Sequence, residues 1–310
     1  MSAAREGELA PPEHVTDAVA DALGATPAAW MRVPGGNTAA GRARARVPDG
    51  RTAFAKWATD DATAGWLRDE MRVLAHLEAD FVPRVLGWRD GPRPVLVLED
   101  LGDALWPPPW TEERALRGAE ALARIAATPP PSEVPQASGL ADLLRGWRRV
   151  EEDPAPFLAL GLADEAWLAH ALPILRAAED AVSFDGAALL HNDARGDNMA
   201  FLPERVVLVD WNWAAVGPAE LDLAYFANHV HAAGGPPPER LMPDDGGWAA
   251  VIAGFLASLA GLPPMPGTTV ETDTVRPLQR AHLVTALPWA ARRLGLPPCD
   301  PARPLADGRT

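Results

Sequence analysis

Asp193 and Asn198 lie five positions apart in the stretch Leu-Leu-His-Asn-Asp-Ala-Arg-Gly-Asp-Asn-Met, residues 189–199, and Asp210 ends the apolar run Val206-Val207-Leu208-Val209. Carboxylate and carboxamide oxygens suit a hard divalent cation such as Mg²⁺, and a carboxylate that is not a ligand can take a proton from a hydroxyl. Phosphoryl transfer from a nucleoside triphosphate needs both, a metal to neutralise the phosphates and a base to aim a hydroxyl at the γ-phosphorus. The flanking apolar runs are too short and, in the second case, too β-branched to favour helices, so they predict two strands delivering these side chains to one place. The competing reading is turn chemistry, which suits Asn192, Gly196 and Asp197. It gives no reason for a strand ending in Asp210 to follow directly.

His191-x-Asp193-x-x-x-x-Asn198 is also the spacing of the protein-kinase catalytic loop, where the Asp is the base, the Asn holds metal and a later strand supplies a second metal-binding Asp. On that spacing Asp193 is the expected base, and Asn198 and Asp210 are the expected ligands of Mg²⁺.

Such a loop needs a scaffold, and the N-terminal third supplies one. A short helical pattern (Val15, Val19, Leu23) closes at Gly24. Trp30–Val33 then leads into a loop containing Gly35 and Gly36, glycines that let backbone N–H groups approach an anion, although G-x-G-x-x-G is absent and a plain hairpin reads equally well. Arg42–Val47 alternates charged and apolar residues, Pro48-Asp49-Gly50 turns, and Arg51–Ala58 returns with Lys56 on one face beside Phe54. From that strand an ammonium can reach the α- and β-phosphates; an edge lysine that resists aggregation is the alternative. Residues 62–79 carry Leu67, Met71, Leu74 and Leu77 at helical spacing. Glu70 sits at the border of that apolar face and needs a partner, for which Lys56 is the natural choice. Asp69 is expected to face Arg72 at the surface.

Val85–Trp88 and Val95–Leu98 are two more strands, giving an antiparallel sheet of about five. Glu99-Asp100-Leu101-Gly102 follows, a segment whose backbone at Glu99 and Leu101 could bond a flat adenine, or an ordinary strand-end turn. Helical patterns then cover 111–127, 139–151, 163–180, 220–226, 247–261 and 271–293, with a proline-rich connector at 128–138. The uncharged stretch 246–262 is shorter than a membrane span and predicts a buried helix.

The chain has 310 residues, 48% of them hydrophobic, enough for a large core in one domain or two lobes. A formal net charge of −14, with no long Lys/Arg run, argues against a nucleic-acid partner. One cysteine, Cys299, cannot form an intramolecular disulfide, and the N-terminus lacks the basic start and apolar core of a secretory signal. A cytoplasmic protein with no membrane association is expected.

On these residues the chain resembles the aminoglycoside phosphotransferase and choline kinase-like family of small-molecule kinases. The specific motifs are His191 to Asn198 and the run Asp210-Trp211-Asn212-Trp213-Ala214 through Gly217 to Leu221-Asp222-Leu223-Ala224; the Gly35-Gly36 loop, Lys56, Glu70 and the 98–101 segment extend the match along nearly the whole chain. The resemblance implies an α+β, two-lobed protein kinase-like fold, with a small antiparallel-sheet N-lobe (1–100) and a larger, mainly helical C-lobe (101–310). It implies ATP or GTP bound with Mg²⁺ through Gly35, Gly36, Lys56, Glu70, Glu99 and Leu101, and a hydroxyl-bearing small molecule as acceptor. His191 and Asp222 are then supporting residues, and Arg195 meets either a phosphate, an acidic substrate group or a salt-bridge partner. Asp210 is not followed by Phe-Gly, which counts against a peptide substrate. Asp244, Asp245, Glu151, Glu152 and Asp153 could bind amino groups of an acceptor or be solvated charges. A nucleotide-binding pseudokinase and an atypical protein kinase are the alternatives.

Overall fold

The computed structural model describes residues 11–33, 39–242, 246–265, 268–270 and 273–299. In chain order its elements begin with α1 (Glu13–Leu23), β1 (Ala29–Arg32), β2 (Gly41–Arg46), β3 (Thr52–Trp57), α2 (Asp61–Leu74), β4 (Val85–Arg89) and β5 (Val95–Glu99). There follow α3 (Glu112–Ala126), α4 (Ala141–Leu144), α5 (Gly146–Glu152), α6 (Ala155–Leu158), α7 (Glu165–Asp180), β6 (Ala188–Leu190), β7 (Met199–Phe201) and β8 (Val206–Leu208). The last are β9 (Ala215–Gly217), α8 (Ala219–Ala232), α9 (Gly247–Ala260) and α10 (Val275–Arg293). They form two compact units, Met1–Trp106 with Asp197–Ala214, and Pro107–Gly196 with Ala215–Thr310.

The first unit is built on an antiparallel sheet in the order β1-β2-β3-β5-β4. Side chains alternate across it. Ala43, Ala45, Ala53, Ala55, Val95 and Val97 form one buried face with Val15, Val19 and Leu23 of α1. The other face takes the intervening positions, with Arg42 opposite Lys56, Arg44 opposite Phe54 and Lys56 opposite Leu96. Helix α2 starts with a capping box: Asp60 accepts the Thr63 N–H at 2.8 Å, and Thr63 Oγ1 accepts the Asp60 N–H at 3.1 Å. It ends at Leu74, short of the predicted residue 79. Leu77 keeps its place in the core without continuing the helix, so the apolar spacing outruns the hydrogen bonding.

In the same unit β7 and β8 form a two-stranded hairpin, with Leu105 bridging Phe201. Leu101, Ala200 and Val207 make a small core there. Helix α2 packs against the 3-10 turn Trp211–Trp213 that follows the hairpin, and Phe81 meets Trp211 with ring centroids 6.1 Å apart.

The second unit is mainly helical. Helix α9 has no charged residue and is packed by α4 to α8 and α10 except along a few positions, as the uncharged stretch predicted. The predicted helix 139–151 is instead a 3-10 turn, α4 and α5, broken at Arg145 (ψ 74°). The break lets Gly146 approach α9 so closely that a Cβ there would lie 1.8 Å from the Gly254 carbonyl oxygen. The stiff connector also joins the β6–β9 pair, where Gln136 bridges Val216 and adds a third segment. Among the described residues no helix is long and apolar enough to cross a membrane.

Candidate active site

In the first unit the strand lysine, the helix glutamate and the post-strand aspartate converge. Lys56 Nζ donates to Glu70 Oε2 at 2.7 Å and also pairs with Asp210 Oδ1. Glu70 is buried because α2 turns its 67/70/74 face inward, and Lys56 because β3 is an inner strand of the sheet. Burial works against the charge on Lys56, but the carboxylates of Glu70 and Asp210 outweigh it and hold the lysine pKa above its ordinary value. One ammonium thus faces two carboxylates. Asp210, about a third exposed where Glu70 is sealed, is the carboxylate with room for another cation.

Asp210 and Asn198 are brought together by the β7–β8 hairpin. Met199 opposes Leu208, so Asn198 and Val209 stand next in register, and the Val209 N–H donates to the Asn198 carbonyl at 3.0 Å. Asn198 is buried. Asp210 adopts a left-handed backbone (φ 64°, ψ 58°), uncommon for a residue with a Cβ and tolerated best by Asp and Asn, which turns the chain from β8 into the 3-10 turn.

The end of β5 is tied down on both sides. Glu99 accepts the Arg84 N–H at 2.9 Å and both of its oxygens receive Arg205 Nη2 at 2.9 Å. Burial alone would raise the Glu99 pKa; the Arg84 N–H and the two guanidinium groups carry it below the ordinary carboxylate value. Asp100 accepts Arg44 Nε at 2.9 Å and the Gly102 N–H at 2.9 Å. A Cβ at Gly102 would stand 2.1 Å from the Arg44 guanidinium carbon, so a larger residue there would push the guanidinium off Asp100. Leu101 is buried in the small core beneath. Gly35 and Gly36 lie outside the described residues, as do Asp244 and Asp245.

Asp193 belongs to the second unit, on the loop after β6. Asp222, at the start of α8, accepts the N–H groups of His191 at 2.6 Å and Asn192 at 2.7 Å. Asn192 is left-handed (φ 61°). Burial pushes the Asp222 pKa up to about 6 in spite of those two bonds. The Asp193 N–H donates to Nδ1 of the buried His191 at 3.3 Å, and the Gly196 N–H to His229 Nε2 at 3.1 Å. Arg195 Nε is 3.4 Å from Asp193 Oδ1. Asp69 pairs with Arg72 at 2.8 Å on the surface, and Glu151 pairs with Arg176.

Sequence reasoning missed Arg44, Arg205, His229 and His282 as parts of this framework. His229 had a readable signal, since it lies seven residues after Asp222 and hence on the same face of α8. The arginines had none, because their partners are distant in sequence.

The phosphotransferase enzyme family model matches residues 30–253, and the chain belongs to that family. Comparison with curated proteins gave no match. Among solved structures, the chain is similar to spectinomycin phosphotransferase in complex with ADP and spectinomycin (13% identity, 88% of this chain and 94% of that one, TM-score 0.59). It is likewise similar to a choline/ethanolamine kinase family protein from Mesorhizobium loti (16%, 91% and 98%, 0.59). An aminoglycoside phosphotransferase from Alicyclobacillus acidocaldarius is a third (16%, 94% and 97%, 0.51). The TM-scores over nearly the whole chain show a shared kinase-like fold.

Proposed function

We propose that this phosphotransferase moves the γ-phosphoryl group of ATP or GTP, as its magnesium complex, to a hydroxyl of a small molecule, with amine-bearing compounds as the first acceptor class to try. The observation that carries the reading is the Lys56–Glu70–Asp210 triad beside Asn198. An ammonium held by a buried glutamate is a fixed cation for the α- and β-phosphates. Asp210 and Asn198 would hold the magnesium through a carboxylate and a carboxamide oxygen, donors of the kind that ion takes. Bound magnesium would supply charge neutralisation of the phosphates. Glu70 would hold Lys56 whether or not Asp210 were engaged by the cation. The backbone at Glu99 and Leu101 would hold the purine edge, and Gly35 and Gly36 would cover the phosphates.

Asp193 is read as the base that accepts the hydroxyl proton. Its loop is fixed by Asp222 and His191 on one side and His229 on the other, so the carboxylate is pre-positioned before a substrate arrives. The ADP in the spectinomycin phosphotransferase structure supports nucleotide use, and the single, buried Cys299 fits a cytoplasmic setting. The test is release of nucleoside diphosphate by the purified protein, with and without magnesium, over hydroxylated amines, sugars and antibiotics. Acceptor-stimulated release that disappears in Asp193→Ala supports the reading; release indifferent to magnesium, to every acceptor and to Asp193 overturns it.

A further inference from the structure

Within the first unit, the face of the sheet turned away from α1 carries two rows of side chains. One row runs Arg42, Lys56, Leu96 and the next Arg44, Phe54, Leu98, by the register of β2 on β3 and of β3 on β5. The rows stand two residues apart along each strand, about 7 Å. The first holds the ammonium read as the phosphate contact. The second adjoins Glu99, where β5 ends, and so borders the segment read as holding the purine edge. Ala43 and Ala45 fill the opposite face of β2, which puts Arg44 on this one.

Arg44 is fixed in its row. Nε and Nη2 both reach Asp100 Oδ2, at 2.9 and 2.8 Å, and Asp100 Oδ1 accepts the Gly102 N–H at 2.9 Å. The Asp100 side chain is sealed, 4% exposed, whereas that of Arg44 is 28% exposed. The lack of a Cβ at Gly102 lets the guanidinium lie against the backbone there, and its Nη1 makes no hydrogen bond to a described residue. The neighbouring carboxylate, Glu99, is occupied by Arg84 and Arg205. Both acids at the end of β5 are thus engaged by arginines, and the outward groups at Asp100 are N–H donors.

Adenine and guanine bring different groups to such a place. Along one edge adenine carries the acceptor N1 and a C2–H, where guanine carries an N1–H and a C2 amino group, both donors. A carboxylate accepts that pair of donors; a guanidinium has only donors of its own.

We propose that Arg44 sets the nucleobase this protein accepts, favouring ATP over GTP by occupying Asp100, the carboxylate between the two purine-holding positions, and presenting N–H groups in its place. The proposal rests on the reading of Lys56 as a phosphate contact and of Glu99 and Leu101 as the purine-holding backbone. Guanine donors that meet further donors lose the acceptors they have in water, and adenine, with no donor at C2, loses none. Removing the guanidinium uncovers Asp100 and reverses the preference it imposes.

The experiment is calorimetry of magnesium-ATP and magnesium-GTP binding, with thermal melting as the check on folding. It compares the wild type with Arg44→Met, which keeps the side-chain length, and with the double variant Arg44→Met/Asp100→Ala. The wild type should bind ATP about tenfold tighter than GTP or better, a ratio that needs no variant to measure. In Arg44→Met that ratio should fall by about tenfold, chiefly through tighter GTP binding, and the double variant should lose the gain. Equal affinities or a GTP preference in the wild type overturn the role of Arg44, as does an unchanged ratio in a folded Arg44→Met protein that still binds nucleotide. GTP affinity that stays raised in the double variant overturns the part given to Asp100. Binding of neither nucleotide by the wild type overturns the nucleotide reading itself.

Discussion

Lys56 carries one positive charge between two carboxylates, and that imbalance sets what its replacement does. In Lys56→Met the sealed Glu70 carboxylate loses its partner, and the nucleotide proposed to bind here loses a cation for its phosphates. Nucleotide affinity measured by calorimetry should fall at least tenfold, equivalent to about 1.4 kcal/mol, with thermal stability also reduced. Glu179 provides a second test away from this chemistry. Burial pushes its pKa from the ordinary 4.5 up to about 7, against the N–H bond it accepts from Trp147 at 3.3 Å. A carboxyl whose pKa is raised by folding contributes stability below its unfolded value and loses that contribution as pH rises through the folded one. Unfolding free energy should therefore decline between pH 4.5 and about 7 on account of this group. Glu179→Gln should flatten that decline and stabilise the protein at pH 8 by on the order of 1–3 kcal/mol, as urea unfolding across pH would show. The meeting of Lys56 with Glu70 was legible from sequence because side-chain alternation and helical spacing place them on definable faces, and that of Asn198 with Asp210 because two short apolar runs flank them. The charge balance among them was not, since it depends on how deeply each is buried.

Among the elements, the loop bearing Asp193 is held from α8, and the α5–α9 crossing is held by glycine. Asp222→Ala would leave the His191 and Asn192 N–H groups without their acceptor. At about 1–3 kcal/mol for each such buried group, the loss should show as a lowered unfolding midpoint together with reduced turnover. Gly146→Ala places a methyl against the Gly254 carbonyl, a backbone atom that cannot move aside as a side-chain end would. A destabilisation of about 1–3 kcal/mol is expected, read by the same unfolding experiment. Strands and long helices were readable because each has a local periodicity. The end of α2 and the splitting of 139–151 were not, because the first is a loss of hydrogen bonding within a continuing apolar pattern and the second answers to α9, a hundred residues later. The proline-rich connector read as extended turns instead at Pro131–Val134, where the Val134 N–H donates to the Pro131 carbonyl, and enters a 3-10 turn at Ala137; its pairing with β9 follows from the tertiary fold.

For the molecule as a whole, family membership covers 30–253 and the kinase-like fold follows, while the acceptor is set by side chains that vary within any such fold. The motif from Asp210 to Ala224 carried most of what could be known in advance. Contacts such as Arg44–Asp100 and Arg205–Glu99 join residues 56 and 106 positions apart and leave no pattern in a single sequence. A ligand that binds only the folded protein stabilises it by an amount that grows with the logarithm of its concentration over Kd, so ATP or GTP with magnesium at a hundredfold excess over Kd should add about 2.7 kcal/mol, and chelation of magnesium should remove most of that gain. Transfer itself is best addressed by detecting the phosphorylated acceptor. Phosphorus NMR and mass spectrometry on nucleotide, magnesium and the acceptor panel should reveal a new phosphate ester, formed by the wild-type protein and absent with Asp193→Ala. A protein that binds magnesium nucleotide tightly yet forms only free phosphate, or no product, with every hydroxyl compound would be incompatible with a phosphotransferase built on Asp193.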